Sequence, residues 1–201
     1  MVIIYIEAPM SDFWLFIKLG LEHVLDWTAY DHILFLVVLS VGYSINLWRQ
    51  LLLLVTFFTI GHSISLLVAN YNLVSVSITW IEFLIPITIL VAAIFNLFAA
   101  GKKKQIEKAG VFYVVTIFFG LIHGFGFAVY YKMIIEGNEI APLLEFALGV
   151  ELSQIIVVLF VMAAAFIFQR VFHLGKRDWV LVVSSIVIGL VIPMLIEKWP
   201  L

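Results

Sequence analysis

Imidazoles and carboxylates stand in this chain where hydrocarbon is expected. His23 and the Asp31–His32 pair lead into the first long apolar run, His62 lies in the second and His123 in the fourth. Glu82, Glu145 and Glu151 interrupt the third and fifth. An ionisable group at the centre of a bilayer costs about 2.5–3.5 kcal/mol on insertion scales. Several of them on several helices are therefore expected to meet and offset one another. Imidazole nitrogen and carboxylate oxygen together suit a divalent transition metal, and the same groups can relay protons. The candidate metal ligands are His23, Asp31, His32, His62, Glu82, His123 and Glu151, with His32, His62 and His123 as the expected centre. Thr59, Ser63 and Gln154 are the candidate supporting residues. Thr59 and Ser63 share a helix face with His62, and Gln154 lies one turn from Glu151.

The elements that must position these groups follow from composition. In 201 residues, 65% are hydrophobic and only 12% charged, against about 25% charged in an average soluble chain. The expected fold class is therefore an all-α integral membrane protein forming a single membrane domain. A spanning helix needs about 20 mostly apolar residues, and six stretches qualify: 31–48, 51–69, 75–100, 111–131, 142–169 and 179–196. Ahead of them, residues 11–25 read as an amphipathic helix lying in the interface, with Ser11 as N-cap and Lys18, Glu22 and Asp26 forming one polar stripe. Residues 1–10 are too short and too acidic for a signal peptide, so none is expected. A net charge of −2 with no basic stripe excludes nucleic acid as a partner. The chain has no cysteine, which removes thiolate metal sites and cysteine nucleophiles.

Charge placement orients the six-helix bundle. Arg49 follows the first stretch, Lys102, Lys103, Lys104 and Lys108 the third, and Arg170, Lys176 and Arg177 the fifth. The alternate loops carry Glu136 and Glu139 and few cations. The positive-inside rule then puts both termini outside and the lysine loop in the cytoplasm. At about 1.5 Å per helical residue, every candidate ligand falls in the outer half, with Asp31 and His32 at the outer surface. Asn96 is the main polar group of the inner half. Gly120 and Gly124 frame His123 and would let a neighbouring helix approach closely. His173 beside Lys176 reads as merely exposed, and Glu145 as solvated at the interface.

Taken together, Gly20-Leu-Glu-His23, Tyr30-Asp-His-Ile-Leu-Phe35 and the run from Phe58 through Gly61-His62-Ser63 to Leu66 resemble the HupE/UreJ family of bacterial membrane proteins. So do Glu82-Phe-Leu-Ile-Pro86, Phe119-Gly-Leu-Ile-His-Gly-Phe-Gly-Phe-Ala128 and Phe146-Ala-Leu-Gly-Val-Glu-Leu-Ser-Gln154. The resemblance covers nearly the whole chain and is strongest to the compact branch common in Bacteroidetes. It implies a bacterial cytoplasmic (inner) membrane location, nickel or another divalent metal as cargo, and metalloenzyme-maturation proteins as partners besides the lipid bilayer. It maps the family's first-span His and Asp onto His23, Asp31 and His32. The His23–Asp31 spacing is longer than the family's usual one, and Gly126 stands where nickel-handling members tend to carry Glu.

Three functions follow. The favoured one, on the resemblance, is a divalent transition-metal permease or metal-delivery protein. The second is an intramembrane zinc hydrolase in which histidines hold the ion and Glu82 or Glu151 is the base. The third is a metal-free proton relay or structural subunit.

Overall fold

The computed structural model describes residues 12–101, 109–134 and 140–200, and all regular elements among them are helical. They are α1 (Asp12–Leu25), α2 (Asp31–Ser40), a short 3-10 helix (Ile45–Leu47), α3 (Trp48–Asn70), α4 (Ile78–Ala99), α5 (Ala109–Ile134), α6 (Ile140–Arg170) and α7 (Lys176–Glu197). The expected N-cap Ser11, the lysines at 102–104 and 108, and Glu136 and Glu139 lie outside the described residues.

Five helices are long and apolar enough to cross a membrane: 45–70, 78–99, 110–134, 140–170 and 176–197. Their outward faces are apolar as well as their inward ones. Leu53, Ile60 and Ile64 on α3, Val114 and Phe118 on α5, and Leu152, Leu159 and Phe160 on α6 are all exposed. A helix apolar on every side is stable in lipid rather than in water.

The first expected span is built differently. Where the apolar run suggested one helix over 31–48, α2 is only ten residues long and ends at Ser40. At 1.5 Å per residue it covers about 15 Å, half a bilayer core. The Ser40 hydroxyl turns back to the Leu36 carbonyl at 2.6 Å, and Gly42 and an extended Ser44 carry the chain into the 3-10 helix. The turn starts in the core: Val41 is buried against Ala165, Trp179 and Val180. Val38 has one of the helix-terminal carbonyls without an intrahelical partner. It accepts the Asn96 side-chain amide at 2.6 Å, so the main polar group expected in this half of the bundle caps α2.

Helix α1 is tied into the bundle along α6. A Cβ on Gly20 would collide with the Phe146 carbonyl, and one on Gly149 with the Ile17 carbonyl, so the two backbones touch where both residues are glycine. Ile17 and Val24 are buried in the same contact. The α3–α5 pair is equally close. A Cβ on Gly120 would strike the Phe58 carbonyl, and one on Gly124 the Ser65 hydroxyl and the His62 carbonyl. The small residues flanking His123 thus bring α3 within reach.

Contacts sort the helix ends into two groups. At one, Lys176 reaches Ser44 (2.9 Å) and the Arg177 side chain covers Gly101. At the other, Lys132 reaches Asn72 (2.7 Å) and Lys198 pairs with Glu82 (3.1 Å). Arg49 and Arg170 begin and end helices at the first, cationic end.

Candidate metal centre

Four imidazoles from four helices meet inside the bundle. His23 comes from the last turn of α1, His32 from the first turn of α2, His62 from α3 and His123 from α5. Ring centroids are 4.5 Å apart for His23 and His32, 5.5 Å for His23 and His62, 6.0 Å for His32 and His62, and 5.3 Å for His32 and His123. His32, His62 and His123 are all buried.

The Nε2 atom of every one of the four is buried without a hydrogen-bond partner. Buried polar atoms in folded proteins are nearly always paired, and an orphan costs about 1–3 kcal/mol. Four orphans in one place therefore point to a ligand for nitrogen lone pairs. On two of the rings the opposite nitrogen is occupied in the way that favours this. Nδ1 of His32 donates to Asp31 Oδ1 at 3.0 Å, and Nδ1 of His123 to the Phe119 carbonyl at 2.8 Å. A ring that donates through Nδ1 presents Nε2 as an acceptor, and a carboxylate or carbonyl behind it fixes tautomer and orientation. Asp31 Oδ1 also accepts the His32 backbone N–H at 2.8 Å, so the carboxylate is held by the same residue it orients.

One nitrogen from each of His23, His32 and His62 lies within 4.8 Å of the others. A tetrahedral zinc with bonds of about 2.1 Å would separate its nitrogens by about 3.4 Å. The three are gathered at a separation from which small side-chain rotations could close them on an ion. Phe127, Phe146 and Phe58 wall the cluster, with centroids 3.9 Å from His23, 6.1 Å from His62 and 5.1 Å from His123 respectively. His62 is the innermost ring. His23, His32, Asp31 and His123 line a cavity of about 1000 Å³ whose wall also includes Trp27, Glu82, Tyr130 and Lys198. Asp26 lies on the same wall, exposed; hydrogen bonds from the Thr28 hydroxyl and backbone N–H hold its carboxyl below the usual carboxylate range.

The expected ligands divide into three places. His23, His32 and His62 come together, with His123 beside His32 and Asp31 behind it. His32 lies level with residues in the middle of α3 and α5 rather than at an outer helix end, because short α2 begins at mid-depth. Glu82 sits on the cavity wall, 44% exposed and paired with Lys198. Glu151 is elsewhere, accepting from Thr56 (2.6 Å) and Thr59 (2.5 Å) on α3. Thr59 and Gln154 join that second group through a 3.0 Å hydrogen bond, and Ser63 forms no hydrogen bond among the described residues. His173 is exposed, with a positive φ of 54°. Ser65, which donates to the His62 carbonyl at 2.7 Å, was legible only as one turn beyond His62. The Phe wall carried no sequence signal among 18 phenylalanines.

A family model described as HupE / UreJ protein matches residues 2–198. No curated protein matches the chain, and no solved structure does.

Proposed function

The chain belongs to the HupE/UreJ family, and from that premise we propose that it is a divalent transition-metal permease of the bacterial inner membrane. One observation carries the reading: four unpartnered, buried imidazole Nε2 atoms converge beside a cavity open toward the non-cationic end. The positive-inside rule makes that end the outer one and sets the carboxyl terminus outside. Asp26 and Asp31 on the cavity wall attract a cation, His23 and His32 take it from water, and His62 and His123 complete its nitrogen environment. Imidazole suits nickel and zinc, and no thiolate is present to favour copper(I). Conduction also requires binding weak enough to release.

A zinc hydrolase draws support from the three-histidine cluster beside a roomy cavity. Against it, neither expected base is free at the cluster: Glu82 is paired with Lys198 and Glu151 with two threonines.

The test is metal analysis of purified protein combined with nickel and zinc uptake by proteoliposomes. Wild type is expected to bind and pass one or both ions, and His32→Ala and His62→Ala to lose both properties. Tight stoichiometric metal with no flux favours the hydrolase; no metal and no flux sinks both.

A further inference from the structure

A second cavity, of about 620 Å³, lies between α2, α4 and α5. It is lined by residues from the cationic halves of these helices, among them Asn96 and Thr116, and by Gly42 and Tyr43 of the turn after α2. The same three helices line the histidine cavity. Following each toward the cationic end gives one repeated order. On α2, His32 faces the first cavity and Leu39 the second, with Phe35 between. On α4, Pro86 faces the first and Ala92 the second, with Ile89 between. On α5, His123 faces the first and Thr116 the second, with Phe119 between. Each step from the first cavity to the intervening residue is about one helical turn, roughly 5.4 Å.

The intervening residues form a closed apolar layer. Phe35 and Ile89 are buried in one hydrophobic cluster with Phe58, and Phe119 packs against it. Phe35 stacks on Phe58 at 4.8 Å, meets Phe119 edge-on at 5.8 Å, and lies 5.2 Å from the His123 ring. The layer therefore touches the histidine cluster on one side and the second cavity on the other.

We propose that the second cavity is the inner vestibule of the permeation route, and that Phe35, Ile89 and Phe119 are the gate closing it from the histidine cavity; this rests on the permease reading. A cation cannot stay in the apolar layer, so the layer blocks flux until the aromatic rings turn aside. As they turn, their faces lie against the ion and offer cation–π attraction. Beyond them the Asn96 amide has its NH₂ engaged on Val38, which leaves its carbonyl oxygen to face an ion. The Thr116 hydroxyl donates to Phe112 at 2.7 Å and keeps its lone pairs. Neutral oxygens hold a nickel or zinc ion less tightly than imidazole does, so affinity falls in the direction of exit. His123 couples the two sides: its Nδ1 is bonded to the carbonyl of Phe119 itself, so an ion drawn to its Nε2 pulls on the turn that carries the gate.

The chain has no native cysteine, so single cysteines report water access without background. Thr116→Cys is expected to react with a membrane-impermeant cationic methanethiosulfonate from the cationic side. It should become reactive from the opposite side only when Phe35→Ala or Phe119→Ala is added. The same gate variants should retain wild-type nickel and zinc stoichiometry while raising proteoliposome flux about tenfold or more, the effect of lowering a barrier by about 1.4 kcal/mol. Phe35→Leu and Phe119→Leu, smaller changes, should give the same pattern more weakly where an alanine variant fails to fold. If Thr116→Cys reacts only with a lipid-soluble maleimide while metal binding and flux persist, the cavity is a lipid-filled groove and the gate is overturned alone. Unchanged flux in all four gate variants overturns it too. Absence of metal from wild type removes the permease reading and the gate with it.

Discussion

Two cavities of this bundle share the helices α2, α4 and α5 and differ in what they offer an ion. The first presents three imidazoles with that of His62 behind them, an aspartate beside His32 and a glutamate–lysine pair on its wall. The second offers one amide, one threonine hydroxyl and the half-buried phenol of Tyr43. Packing explains part of the contrast. Around the first cavity, glycines let α1 meet α6 and α3 meet α5 backbone to backbone, which brings the histidines of α1, α3 and α5 within reach of each other. Around the second, α2 is in its last turns, and an asparagine is spent on capping it. Polar groups in the first are free to bind; in the second they are mostly holding the chain together.

The sharpest way to break the contrast is to separate the helices that create it. Gly124→Leu forces a side chain into the His62 carbonyl and the Ser65 hydroxyl, and should cost about 3 kcal/mol or more, read as a large drop in thermal unfolding temperature in detergent. Gly126→Ala meets only the tip of Ile85 and should leave the melt nearly unchanged. Removing an imidazole comes next: His32→Ala should weaken nickel or zinc binding more than about 100-fold, beyond the 10–100-fold expected from losing an orienting partner. Asp31→Asn keeps the ring and removes the carboxylate behind it, so titration calorimetry should show a loss within that 10–100-fold range. At the small end, Glu151→Gln should leave metal affinity as it is, because its partners are Thr56 and Thr59. It should lower stability by about 1 kcal/mol through weakened hydrogen bonds. A loss of metal binding in Glu151→Gln as large as in Asp31→Asn would put Glu151 in the site and erase the division drawn between the two groups.

Much of this was legible in the sequence. The five long helices were visible because twenty apolar residues in a row have few other fates. That buried histidines should meet followed from the cost of leaving an ionisable group alone in hydrocarbon. That reading put His32, His62 and His123 at the centre, whereas the gathered nitrogens are those of His23, His32 and His62. Two expectations differ from the structure, because composition records neither where a chain turns nor which neighbour a helix face meets. Val41, Gly42 and Tyr43 look like the middle of a span, but they lie in the turn after α2, where Val41 packs on Trp179. Glu151 looked like a ligand because it shares the apolar setting of the histidines, yet it faces the threonines of α3.

What the sequence determined by itself was membership of the membrane class and the inventory of donors, since hydropathy and residue type are local properties. Which donors meet was decided only by the tertiary structure. The choice of His23 over Glu82 and Glu151 as neighbour to His32 and His62 depends on α2 beginning at mid-depth and α1 docking through Gly20 on Gly149. Helix depth and helix contact are set by packing between distant segments, and no spacing along one segment can encode them alone.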